Sequence, residues 1–501
     1  MDLLINLNSQ SRIPLQRQLY ESLREAILGG RLAPGQRLPA TRDMARSLGI
    51  SRTTVTLTYE ALTSEGYLEA QTGAGTFVGR SLPDDLLRPP APPARGARGL
   101  QRRPLETDST CTKPTAKRLS KFGNYLKNNV PFGPAEEPSI QFSFGRPDID
   151  EFPMRQWLRL LNHHAKRKQL SDLELPKRAQ GYLPLRRAVA DYLARARAVK
   201  ANPDQIIIVN GSQQALDLIA RVLIEHGDRV GIENPCFLGA KTIFEANGAK
   251  LHPVPVDEGG LVVDHLRKES TPPLKLIYVT PSHQFPTGVS LGLTRRLELL
   301  SWAQRHGTYI IEDDYDSEFR YCGRPVPALA GLDQCDTVIY AGTFSKTLFV
   351  SLRLGYLLVP RSLAGVLAHA KWVADRHSPL LEQQVLADFI NSGQYERHIR
   401  RMRSLYERRR QVMLDSLKKH FGDACEIFGE SSGIHVLVRF RTSMTGEEIV
   451  AAAFEKGVCV LPAVYLTQPM CGELVLCYGG VKEADIRKGI KLLAEAITID
   501  S

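Results

Sequence analysis

Apolar residues recur along the chain with two different periods, and the change from one to the other divides it. Near the start, Leu15, Leu19, Leu23, Ile27 and Leu28 fall at helical spacing, and Gly29-Gly30 ends the run. After the turn Ala33-Pro34-Gly35, Thr41 stands where it can cap a short helix through Met44, Ala45 and Leu48, closed by Gly49. Ser51 caps the next helix, whose buried face carries Val55, Tyr59 and Leu62. Two short helices joined by a tight glycine-containing turn are the helix-turn-helix pattern. In that geometry Arg52, Thr53 and Thr54, at the start of the second helix, face base edges in the major groove of DNA. The stretch from Tyr67 to Val78 then predicts two short strands around Gly73-Ala74-Gly75, a wing able to lie along a duplex.

From Ser81 the periodicity disappears into a stretch rich in proline and arginine that cannot bury enough apolar surface to fold. The expected organisation is a DNA-binding domain over 1–80 and a semi-extended basic linker over 81–120. A large domain follows over 121–501, with a major part at about 170–375 and a smaller C-terminal part at about 376–501. Fully stretched, the linker spans on the order of 100 Å. Its arginines add either nonspecific DNA affinity or solvation alone.

Beyond residue 140, helical segments alternate with short apolar runs, which predicts an α/β domain with a largely parallel sheet. The candidate strands are 205–209, 229–232, 274–279, 308–311, 337–340 and 355–359. Ligands of such sheets bind beyond the carboxyl ends of the strands, so the residues there carry the chemistry. They are Gly211-Ser212-Gln213 opening a helix, Phe237, the run Thr280 to Gly288, Glu312 to Tyr315, and Thr343 to Arg353. Lys346 is an amine able to form a Schiff base with a carbonyl cofactor, and pyridoxal 5'-phosphate requires such an amine, a phosphate clamp and a carboxylate for its ring nitrogen. The helix start at Ser212 and Gln213 offers backbone amides to a phosphate, Arg353 offers a guanidinium, and Thr343 and Ser345 offer hydroxyls. Asp313 would keep a pyridine nitrogen protonated, Tyr315 would donate to a ring phenolate oxygen, and Phe237 offers an apolar plate. Singly, each has a plain structural reading as a cap, a core ring or a surface lysine; together they lie at five strand ends.

Composition narrows the partners. The 501 residues carry a formal net charge of +11, which allows an anionic partner, nucleic acid first. The eight cysteines form neither a C-x-x-C pair nor a regular framework, pointing to reduced thiols in a cytoplasmic protein and to no metal site. No run approaches the ~18 apolar residues of a membrane span, and no basic-then-apolar leader opens the sequence.

Across 13–79 the phrases Leu38-Pro39-Ala40-Thr41-Arg42 and Ser51-Arg52-Thr53-Thr54-Val55, with Gly73 to Val78, resemble the GntR family of winged-helix regulators. The resemblance implies operator DNA as a partner, with Arg37, Arg42 and Arg52 as contacts, to base or to phosphate, and Gly75 at the wing tip. From about 140 to 495 the chain resembles fold-type I aminotransferases through Gly181 to Arg186, Gly211 to Ala215, Pro286 to Gly288, Asp313 to Tyr315 and Ser345-Lys346. As a whole it resembles the MocR/GabR subfamily of GntR regulators. That implies Lys346 as the Schiff-base lysine, Asp313 and Tyr315 as ring partners and Arg353 as a phosphate ligand. It further implies a homodimer in which Tyr182 reaches the phosphate from the other subunit.

Two departures from the enzymes stand out. Phe285 replaces the asparagine that precedes Pro-Thr-Gly, leaving His283 or Gln284 to fill in. The late strand from Glu473 lacks a carboxylate-binding arginine, for which Arg439 and Arg441 are either substitutes or a solvent-facing pair. The leading expectation is therefore a DNA-binding transcriptional regulator that senses an amine or the cofactor itself. The alternative is a working aminotransferase with an accessory DNA-binding domain.

Overall fold

The structure, a computed structural model, describes residues 7–8, 13–71, 75–79, 119–129, 138–143, 145–166, 179–268, 273–323, 326–467 and 471–500. It divides into two compact units, Met1–Pro114 and Thr115–Ser501. The linker expected over 81–120 lies outside the described residues except for Leu119 and Ser120, as do Gly73 and Ala74.

In the first unit, helices Leu15–Leu28, Thr41–Leu48 and Arg52–Ser64 precede antiparallel strands Leu68–Gln71 and Gly75–Val78. The helical-period residues meet as predicted: Leu19, Leu23, Ile27, Val55, Tyr59 and Leu62 share one core with Leu68 and Val78. Each such side chain contributes ~1.5–3 kcal/mol on full burial. Gly49 closes the second helix in the left-handed conformation, and the Ser51 hydroxyl accepts from the Thr54 amide at 3.2 Å. Thr41 is not a cap. Ala40 holds the N-cap position without a side-chain hydrogen bond, and Thr41 is the first helical residue. The Pro39 carbonyl accepts from the Tyr59 hydroxyl, fixing the entry to this helix from the opposite side.

The second unit is built on an eight-stranded sheet in the order Ile206–Val209, Gly355–Leu358, Val338–Thr343, Tyr309–Asp314, Leu276–Val279, Arg229–Asn234, Lys250–Asp257, Gly260–Leu261. The sheet is largely parallel, as expected, with two exceptions: Gly355–Leu358 runs antiparallel to both neighbours, and the short Gly260–Leu261 runs antiparallel to Lys250–Asp257. Helices cover both faces, so its strands are continuous apolar runs. Ile206, Ile208 and Tyr340 pack into one core while Ile207, Val209 and Ile339 pack into the other. Lys250–Asp257 escaped the sequence reading because His252, Pro253 and Pro255 interrupt its apolar run.

A C-terminal antiparallel sheet follows, ordered Cys425–Phe428, His435–Phe440, Glu473–Cys477, Leu461–Pro462. The 28-residue helix Gln394–Phe421 leads into it. Two contacts tie the start of this unit down. Helix Lys121–Asn129 packs on Leu238–Ala246, where Tyr125 donates to Glu245 at 2.6 Å, and strand Ile140–Gln141 pairs with Val458–Cys459 of the C-terminal part.

Candidate functional site

Strand extension places the acidic cluster. Tyr309–Asp314 continues three residues beyond the predicted 308–311, so Asp313 lies within the strand, opposite Ala341, and not past its end. Alternation turns Asp313 to one face and Asp314 to the other. Asp313 accepts from the Tyr278 hydroxyl at 2.8 Å, while its Oδ1 is buried without a hydrogen-bond partner. Burial raises its carboxyl to about 7, against the Tyr278 hydrogen bond. A cation beside Oδ1 would restore the ionised form.

Lys346 follows the strand Val338–Thr343, whose terminal Thr343 hydroxyl accepts from the Ser345 amide. Burial pulls the ammonium down to about 8, opposed by the fields of Cys477, Asp316 and Asp313. A Cβ on Gly145 would stand 2.2 Å from Lys346 Nζ, at a backbone φ of +95°. That close approach is why glycine is there.

One pocket brings together Ser212, Phe237, Asp313, Tyr315 and Lys346 of the predicted set, and adds Tyr278, Thr280 and Phe285. Phe237 meets Phe285 edge to face at 5.7 Å. Tyr315 donates to the His283 carbonyl at 2.8 Å. Ser212 opens helix Ser212–Leu223, which has no acidic residue in its first turn and presents its amides at the strand end. Arg353, itself in the left-handed conformation, donates to the Asn210 carbonyl at 2.7 Å and lies against Gly211. Thr343 and Ser345 are buried at the root of the lysine loop. Gln213 is exposed and packs over Gly239. Tyr182 caps helix Leu183–Arg197, its amide held by Gln383.

Neither stand-in for the missing asparagine is arranged alike. Gln284 is spent inside its loop, donating to Pro235 and Phe285 carbonyls and accepting from Thr287. His283 faces Asp316, Nδ1 lying 3.0 Å from its carboxylate. Arg439 pairs with the buried Glu473, and Arg441 binds the Asp423 carbonyl, so both serve the C-terminal sheet. Sequence reasoning missed Tyr278 and gave Thr280, the first residue of its strand-end run, no role of its own, although the two-residue alternation of this pair on Leu276–Val279 and just beyond was a usable sign.

In the N-terminal unit, Arg37, Arg42, Arg52 and Thr53 are exposed, whereas Thr54 is half-buried and engaged with Ser51. Arg37 bridges to Phe77 and lies over Gly75, where a Cβ would come within 2.9 Å of its guanidinium. Arg37 is thereby joined to the base of the wing.

Together these describe a winged helix-turn-helix unit preceding an aminotransferase-like α/β unit. Residues 15–78 match the model of bacterial regulatory proteins of the gntR family, and 139–493 match that of aminotransferase class I and II. The chain is 38% identical over 492 residues to the probable rhizopine catabolism regulatory protein MocR of Rhizobium meliloti, covering 98% of this chain and 95% of that one. It is 33% identical to the pyridoxine biosynthesis transcriptional regulator PdxR of Corynebacterium glutamicum, over 83% of this chain and 82% of the relative. Among solved structures, kynurenine aminotransferase of Pyrococcus horikoshii superimposes with a TM-score of 0.67 at 28% identity, over 77% of this chain and 96% of that one. The chain belongs to the MocR-type transcriptional regulators of the GntR family, with a helix-turn-helix DNA-binding unit and an aminotransferase-like domain. Among the described residues no helix is long and apolar enough to cross a membrane.

Proposed function

We propose that the second unit binds pyridoxal 5'-phosphate and that the protein uses it to sense an amine, or the cofactor itself, and so regulates an operator. The observation that carries this reading is the convergence of Lys346, unpartnered Asp313 Oδ1, Tyr315 and the Ser212 helix start on one pocket. When bound, the cofactor supplies a carbonyl that amines can hold and a ring that withdraws electrons. Lys346 is the covalent anchor, Asp313 the ring-nitrogen partner and Tyr315 the phenolate partner. Ser212, Gln213, Thr343, Ser345 and Arg353 hold the phosphate, with Tyr182 of a second subunit completing the site in a homodimer. Phe237 and Phe285 wall the ring on its apolar side.

Lys346 also supplies the switch. With the cofactor bound, an effector amine would compete with Lys346, and the freed lysine, lowered to about 8 by burial beside Asp313 and Asp316, would take up a proton at neutral pH. A new buried charge shifts the balance of domain arrangements by as much as the two arrangements differ in accommodating it. The name of the pyridoxine biosynthesis regulator PdxR lends support to the cofactor itself as signal. The absence of a free arginine on Glu473–Cys477 and the commitment of Arg439 to Glu473 favour sensing over turnover of simple amino acids.

The test is uptake of added pyridoxal phosphate, followed by visible absorbance and fixed with borohydride. The label is expected on Lys346. Because only the neutral amine reacts and its proton is lost at about 8 in place of 10.5, uptake should rise with pH and be half-maximal near 8. A protein that gains no absorbance, or is labelled elsewhere, refutes the assignment.

Arg52 is the proposed reader of the operator, being exposed at the first position of its helix. Arg52→Ala is expected to weaken operator binding by about 1–3 kcal/mol and to relax sequence preference, without changing cofactor uptake. Electrophoretic mobility against operator variants measures this. A uniform loss with a smaller salt slope would assign Arg52 to phosphate.

A further inference from the structure

A cavity of ≈ 480 Å³ lies in the second unit, lined by none of the residues that line the pocket around Lys346. Its size falls within the ~300–1,000 Å³ of small-molecule sites. Its wall carries five arginines against two glutamates. Several of those charges lack a matching partner. Arg197 is neutralised by Asp314 at 2.8 Å, and Arg296 lies 3.7 Å from Glu312. Arg403, by contrast, is held among the described residues only by the neutral Glu318 carbonyl, at 2.7 and 3.1 Å. Among the described residues Arg320 and Arg400 form no ion pair, and Arg320 Nε is buried with no hydrogen-bond partner. Ser432 Oγ, on the residue bridged to Arg320, is likewise buried and unpartnered.

The acids offset this charge weakly. Glu396 is already paired with Arg195 at 2.9 Å, outside the cavity. Burial raises the Glu318 carboxyl to about 7, so it is partly protonated at neutral pH. Burial lowers Arg296, and the fields of Arg197 and Arg320 act in the same direction despite Glu312. The arginines crowd one another in a recess with restricted solvent, where an anion making charge-assisted hydrogen bonds relieves the repulsion.

We infer that this cavity is a second ligand site, taking a small metabolite that carries a phosphate or carboxylate group between Arg320, Arg400 and Arg403. Its wall is continuous with the cofactor pocket through single peptide steps. Ser282 precedes His283, whose carbonyl takes the Tyr315 hydroxyl. Asp314, the partner of Arg197, follows Asp313, and Ser432 precedes Gly433, which packs on the His283 ring. A ligand here therefore acts on the elements that position Asp313 and Tyr315, and any change it makes in cofactor affinity is returned reciprocally.

The experiment is calorimetric titration of the full-length protein, first saturated with pyridoxal phosphate, using inorganic phosphate, pyrophosphate and succinate as separate probes. Saturable binding of at least one probe is expected, weakened about tenfold or more by Arg320→Gln and by Arg400→Gln. Arg400 is exposed and unpaired, so its variant keeps the fold, which circular dichroism checks. Arg353→Gln, at the other pocket, should retain saturable binding of the same probe. Preference for the phosphate probes or for succinate identifies the ligand's acidic group. No saturable binding overturns the site. Binding that is lost in Arg353→Gln but kept in the Arg320 and Arg400 variants assigns the anion to the cofactor pocket and also overturns it.

Discussion

Lys346→Ala is expected to abolish covalent retention of pyridoxal phosphate and, with it, every effector-dependent change in operator binding, while basal DNA affinity stays as in the wild type. Arg353, beside Gly211, and the Ser212 helix start remain to hold some cofactor noncovalently. The separation follows from the chain: the DNA-binding residues lie in a unit with its own core, Leu19 to Val78, and Lys346 lies in another. A signal between them is a free energy shared by two sites, typically ~1–3 kcal/mol, and operator DNA must change effector affinity by the same factor. Titrating wild type with effector in the presence and absence of operator measures that factor; the variant should give a factor of one. Identical wild-type affinities with and without operator would leave the sites uncoupled, and the aminotransferase reading would become the better one.

Arg409→Ala should be among the most destabilising single changes in the second unit, by ~3–5 kcal/mol. Arg409, on helix Gln394–Phe421, is buried against the equally buried Asp148 and donates to the Gly479 carbonyl at 2.5 Å. Truncation strands the Asp148 carboxylate without its cation. The same loop is held by the Tyr406 hydroxyl at the Asp148 amide, and it carries Gly145, the residue against Lys346 Nζ. Denaturant unfolding without cofactor should show the loss. Replacing Asp148 by Asn in the Arg409→Ala background should recover part of it, because a neutral group replaces the unpaired charge. Equal stability of wild type and Arg409→Ala would show that the pair contributes nothing.

The parts of the molecule legible in the sequence were those governed by local rules. Leu15 to Leu28 and Val55 to Leu62 fall on one helical face, and Gly49 marks a left-handed stop, so the N-terminal unit could be read without tertiary information. The five strand ends were legible because ligand chemistry collects there, and the family resemblance supplied their roles. What stayed hidden depended on long-range pairing. The reversed direction of Gly355–Leu358 is set by its neighbours Val338–Thr343 and Ile206–Val209 and leaves no mark in its own apolar run. The strand to Asp314 was cut short because three acids look like a loop; burial against Arg197, Arg296 and Tyr278 is what permits them inside. Gln284 offered itself as a cofactor ligand in the sequence, yet its loop consumes it.

The two anchor points at the start of the second unit divide its attachment between the halves of the fold. Tyr125 fixes helix Lys121–Asn129 to Leu238–Ala246, beside the large sheet, whereas Ile140–Gln141 is stitched to Val458–Cys459 in the C-terminal part. Two elements close together in sequence thereby report on different halves: amide exchange in Lys121–Asn129 follows local opening on the side of the large sheet, and exchange in Ile140–Gln141 follows opening of the C-terminal part.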